Sequence, residues 1–209
     1  MSQEIAIFQD GFNVPERSGA NLIAGDIIKF VDGIYRQNKT EILTAPIRRV
    51  AIRVITAWVH WENNQPTEHR ITQPGQLHPD RDDLPDQDKA VWPIGIGGLS
   101  SDPWRNTRYL KLVDPRTGSV STFVTDSTGG RIAIGRLKEA ISNVRCAEPH
   151  AVPLIELDTV PMKTKYGTKP RPDFRIIEWR NRGTPGAQPQ LAKADSKEGA
   201  LFDDEIPWK

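Results

Sequence analysis

Arg108-Tyr109-Leu110-Lys111-Leu112-Val113, Asp114-Pro115-Arg116-Thr117-Gly118 and Ser119-Val120-Ser121-Thr122-Phe123-Val124-Thr125 form the stretch whose reading decides the fold. Side chains alternate in character on both sides of a Pro/Gly turn, which is the pattern of a half-buried strand. Pro115 fixes φ and Gly118 supplies positive φ, so the two runs read as a hairpin. The period then changes. Ile134, Leu137, Lys138 and Ile141 fall at i, i+3, i+4 and i+7, flanked by Ala133, Ala140 and Val144. This predicts an amphipathic helix over Gly130–Val144, capped by Ser127 or Thr128.

Working upstream, Val50–Trp61 is β-branched and aromatic without Gly or Pro and predicts a central strand. Before it, Ile27–Val31 and Ile34-Tyr35 flank Asp32-Gly33, a strong hairpin signal. Downstream, Val152–Val160 and Phe174–Arg180 read as two further strands. Three strands, a helix and two strands is the element order of an OB-fold. The expectation is a mainly β chain: an OB-fold-like, five-stranded Greek-key barrel with one helix. A β extension over residues 1–47 would decorate it or lengthen its sheet.

Two breaks set the organisation. Residues 76–93 carry five aspartates against Arg81 and Lys89 and read as an acidic loop. From Gly183 the chain is rich in Gly, Pro and Gln, which predicts a flexible linker and a disordered tail over 183–209 after a body over 1–182.

Composition bounds the function. Hydrophobic residues are 37% of the 209, too many for wholesale disorder. Lys plus Arg is 28 against 27 for Asp plus Glu, which excludes a histone-like polycation but not segregated charge. One cysteine, Cys146, forms no internal disulfide. Met1-Ser2-Gln3-Glu4 has no basic, apolar leader, and no run approaches the ~20 apolar residues of a membrane span. The expectation is a cytoplasmic protein without membrane contact.

The charge is indeed segregated. Val160–Arg182 holds Lys163, Lys165, Lys169, Arg171, Arg175, Arg180 and Arg182 against Asp173 and Glu178, with Tyr166 near the centre of the connecting segment. A basic loop bearing an aromatic suits phosphate clamping with base stacking. Lys163, Lys165, Tyr166, Lys169 and Arg171 are its candidates; a plain solvated loop is the alternative. On the hairpin, if Leu110 and Leu112 face the core, Tyr109, Lys111 and Phe123 can share the outer face as a stacking platform for unpaired bases. Alternatively the rings pack beneath the N-terminal hairpins or the acidic loop. Trp58 and Trp61 lie on opposite faces of one strand, so one of them is a candidate for exposure, and Trp104 borders the platform.

The chain ends Leu201-Phe202-Asp203-Asp204-Glu205-Ile206-Pro207-Trp208-Lys209. An acidic triplet followed by Ile-Pro-aromatic, after such a linker, resembles the C-terminal tip of bacterial and bacteriophage single-stranded DNA-binding proteins, most nearly the divergent phage type. In that family the tip ends in Phe; here Trp208 takes its place and Lys209 follows. The resemblance implies an OB-fold that binds single-stranded DNA, with Asp203, Asp204, Glu205, Ile206, Pro207 and Trp208 docking replication, recombination or repair proteins. Homo-oligomerisation stays open.

Catalysis has no motif. His60, His69, His78 and His150 are scattered, and no zinc spacing emerges. Asp80, Asp82, Asp83, Asp86 and Asp88 lack the calcium-loop glycine and terminal Glu. At the helix start Ser127-Thr128-Gly129-Gly130-Arg131 could hold a phosphate by its free N–H groups and Arg131, with a plain glycine turn into a helix as the alternative, and it is not a Walker loop. No cofactor or metal is expected. The alternatives are an adaptor that binds partners without DNA, and a metal-dependent nuclease using Asp102, Asp114 or Glu156.

Overall fold

The computed structural model describes residues 22–181, apart from 74, 96, 97 and 166. The tail candidates Asp203–Trp208 and the loop aromatic Tyr166 lie outside the described residues. Among the described residues, nine strands form one sheet with a single α-helix, and the sheet curls strongly into a half-barrel.

β1 (Asp26–Val31) and β2 (Ile34–Gln37) form the predicted hairpin, with both turn residues, Asp32 and Gly33, at positive φ. β3 (Glu41–Ile42) extends it. β4 (Ile47–Glu62) is the long central strand. It pairs with β5 (Gln65–Ile71) and β8 (Ala151–Thr164) at its two ends and with β6 (Trp104–Val113) along most of its length. β7 (Val120–Thr125) returns antiparallel to β6, and β9 (Gly167–Asn181) pairs with β8. The helix α1 (Thr128–Arg145) follows β7, and Ser127 Oγ accepts from Gly130 N, which is the expected cap.

β5 escaped the sequence reading. It is polar, contains Pro66 and is almost wholly exposed, so no apolar alternation marks it. Its one signal is the preceding Asn63-Asn64 pair, both at positive φ, the backbone of a tight hairpin turn. The connection between β8 and β9 also differs from expectation. It is not a loop over 163–172: the two strands stay paired out to Thr164 and Gly167.

The core lies between the concave face and α1. Ile28, Tyr35, Val54, Leu110, Leu112, Phe123, Ile134, Leu137, Ile141, Ile155, Leu157 and Phe174 are buried together. β1 enters this arrangement parallel to β7 and carries the hairpin across to β8 and β9. Tyr35 makes the join: its hydroxyl donates to Asp158 O at 2.7 Å and to Asp173 O at 3.2 Å. Burial pushes the Tyr35 phenol far above its usual range, so it stays a donor. Tyr35→Phe leaves two strand carbonyls without this donor, and a loss of about 1–3 kcal/mol is expected in urea unfolding.

Candidate nucleic-acid interface

Register decides where the platform residues go. Residues directly opposed across an antiparallel pair share a face. Phe123 is opposite Leu110, and Tyr109 is opposite Val124. Phe123 therefore joins the leucines in the core, fully buried, with Phe174 at 5.2 Å and Tyr35 at 6.1 Å between ring centroids. Tyr109 takes the other face but is buried too, packed with Ile55, Ala57 and Val59 and touched by Leu22 and Val124. Burial, with the Asp126 carboxylate adding to it, pushes the Tyr109 phenol up to about 12. Lys111, half-buried, lies on that same face opposite Arg53 and Thr122. The stacking platform of Tyr109, Lys111 and Phe123 is thus corrected. The two rings lie on opposite sides of the sheet, and the leading residues cover both.

Trp58 and Trp104 are corrected for a second reason. The acidic segment between β5 and β6 folds over them, and Leu84 is buried between the two. Trp58 Nε1 donates to Pro79 O at 2.8 Å, and the His78 ring lies 5.5 Å above the Trp58 ring, parallel within 6°. Trp104 Nε1 donates to Asp86 Oδ2 at 2.9 Å, while Arg70 sits over its ring at 4.9 Å. Arg81 pins the segment by pairing with Asp102 at 2.6 Å. The acidic loop is a packed cover, not a free one.

His78 reports on that packing. Its two nitrogens face Thr72 Oγ1 at 2.6 Å and Asn106 Nδ2 at 2.7 Å. Burial, and then the nearby Arg108 cation, lower its pKa to about 4. The folded protein therefore holds His78 neutral while the unfolded chain protonates near 6.5. The sign follows: the unfolded state binds more protons, so stability falls as pH drops from about 6.5 to 4. His78→Gln is expected to flatten that part of the pH–stability curve, measured by urea unfolding in buffers across that range.

What stays exposed is the arm made by β8 and β9. The core ends at Leu157 and Phe174, and the pair continues past them. Its base is braced: Thr159 Oγ1 donates to Gly33 O at 3.4 Å, and Gly129 packs so closely on Arg171 that an added Cβ would lie 2.7 Å from the Arg171 Cβ. Lys163, Lys165 and Lys169 project from the outer part and are exposed. Alternation puts Lys163 and Lys169 on different faces of the arm, since Lys163 opposes Thr168 and Lys169 opposes Met162. Arg171 is a correction to the clamp. It is buried, and its guanidinium donates to Pro172 O and Asp173 Oδ1, both at 2.9 Å. It fixes the arm's base.

The proposed nuclease carboxylates are each engaged by arginine. Asp102 pairs with Arg81, Asp114 with Arg49 at 2.9 Å, and Glu156 with Arg175 and Arg48. Arg175 and then Arg48 hold the Glu156 carboxyl below its usual range. Among the described residues no group of three His, Cys, Asp or Glu could hold a metal ion, and no helix is long and apolar enough to cross a membrane.

Sequence reasoning offered Arg131 at the helix start for a phosphate but missed the cations that lie near it. Arg108 on β6 sits close enough to Arg131 and to Lys138 on α1 for the like charges to be felt. The spacing of Arg131 and Lys138, seven apart, was the available signal, but Lys138 was absorbed into the helix's apolar stripe. Compared with family models, curated proteins and solved structures, the chain finds no match.

Proposed function

We propose that the chain is a non-catalytic single-stranded DNA-binding protein that holds the strand by its phosphates rather than by stacked bases. The observation that carries this reading is the β8–β9 arm, which presents Lys163, Lys165 and Lys169 to solvent beyond the core. Paired strands fix Lys163 and Lys169 at defined positions, so less order has to be imposed when a strand binds. The order β4, β6, β7, α1, β8, β9, with β4 bonded to both β6 and β8, supports an OB-like plan, in which the connection between the last two strands flanks the nucleic acid. The phage or bacterial replication and recombination setting rests on the tail sequence, as does recruitment of partner proteins through Asp203–Trp208.

Loss of the stacking platform changes the expected signature. With Trp58 and Trp104 under the acidic segment, saturating oligo-dT should leave the emission of these two tryptophans unquenched. The reading is tested by anisotropy with labelled oligo-dT and a duplex of equal length, followed by sizing of the oligonucleotide after incubation in Mg²⁺. Tighter binding to oligo-dT with its length intact is expected. Equal or tighter binding to the duplex contradicts the single-strand reading, and shortening of the oligonucleotide contradicts the non-catalytic one.

A further inference from the structure

We propose that Arg108, Arg131 and Lys138 form a phosphate-binding site between β6 and α1. We further propose that the phosphate it takes belongs to the backbone of the bound strand. The second statement rests on the function proposed above; the first does not.

The helix supplies two of the cations. Arg131 and Lys138 are seven residues apart and so lie on one stripe of α1, two turns from each other. Gly135 lies between them on that stripe, and the space its side chain would fill is open to 4 Å. The neighbouring stripe, Ile134, Leu137 and Ile141, is buried against the sheet, so the cationic stripe borders the packed face. Arg108 comes from the sheet. It is opposite Thr56 on β4 and Thr125 on β7, two residues before Leu110 and therefore on the face that meets α1.

Three other partly or fully buried arginines each have a carboxylate. Arg49 contacts Asp114, Arg81 contacts Asp102 and Arg171 contacts Asp173. Arg108, Arg131 and Lys138 contact no carboxylate among the described residues. Burial and mutual repulsion instead weaken the hold of Arg108 and Lys138 on their protons. Asp80 acts on the adjoining His78, which Arg108 and Lys138 also reach. Three like charges held together cost stability unless an anion joins them. Two guanidiniums and an ammonium suit a tetrahedral, doubly acceptor-rich group such as phosphate.

Position links the site to the arm. Gly129 touches Arg171 at the arm's base, and Arg131 is two residues further along α1. From Arg131 to Lys138 the helix rises about 10 Å. A strand leaving Lys169, which shares a face of the arm with Arg171, can therefore continue along α1 with its phosphates toward this stripe.

The test uses Arg131→Gln with Lys138→Gln, both on the helix surface, in the full chain. Thermal melts are recorded in inorganic phosphate and in chloride of equal ionic strength. Wild type is expected to gain more from phosphate than from chloride, and the double variant to lose that gain while melting no lower than wild type in chloride. An equal phosphate gain in both proteins, or none in wild type, overturns the site. Oligo-dT binding supplies the second readout: the slope of log affinity against log salt should fall by roughly 0.7 in the double variant, the loss of one phosphate contact on a single strand. If the phosphate gain is site-dependent but the slope is unchanged, the strand assignment is overturned and free phosphate is the ligand. If wild type binds no oligo-dT, the proposed function fails while the melts still decide the site.

Discussion

Phe123→Ala is expected to cost about 3–5 kcal/mol of folding stability and to leave single-strand affinity unchanged where the variant is still folded. The side chain is fully buried and meets Tyr35 and Phe174 edge-on or tilted. Truncation empties a ring-sized space at the point where the N-terminal hairpin, β7 and β9 converge. Tyr35, Phe174 and the opposed Leu110 belong to three different elements, so the space collapses poorly. The measurement is a denaturant melt paired with oligo-dT anisotropy well below the variant's midpoint. Weaker binding with little loss of stability would put the ring on a binding surface and contradict the core assignment.

Lys163→Gln, Lys165→Gln and Lys169→Gln together are expected to do the reverse. Stability should change little, because all three side chains are exposed on the arm and lie beyond the core. The salt slope of oligo-dT binding should fall by roughly 2, the sum over three lost phosphate contacts on a single strand. Affinity at low salt falls with it, and the affinities of variant and wild type approach each other as salt rises. Glutamine keeps the length and polarity of the side chain, so the change isolates charge. A variant with wild-type slope would remove the arm from the interface.

The contrast between these two predictions locates what a single sequence reveals. Period and turn chemistry marked β6, β7, α1 and the β1–β2 hairpin, because Asp32-Gly33, Pro115 with Gly118, and Ser127 are local signals. Period two also split Tyr109 from Leu110 correctly. It did not say which of the two faces is covered, since that depends on a hairpin some ninety residues away laying Ile28 and Tyr35 on the core side and on Leu22 reaching the other. The pairing of Phe123 with Leu110 was equally hidden: shifting the register by one residue would have placed Phe123 on the face with Tyr109. The acidic segment reads by composition only as a loop. Its docking depends on single polar contacts, such as Trp104 to Asp86 and Trp58 to Pro79, that leave no periodic trace. The cationic arm was legible as charge but not as paired strands, because Lys, Thr and Pro are poor strand signals. Arg171 shows the cost of reading charge alone: the same residue type that suits a phosphate clamp also suits a buried pair with Asp173.

The account stands on an unpaired strand held by fixed cations. Its most direct test is the affinity of the full chain for a labelled oligo-dT, by anisotropy, at low and at physiological ionic strength. The expected result is saturable binding at low salt that weakens steeply as salt rises. No binding at low salt, or an affinity indifferent to salt, would contradict it.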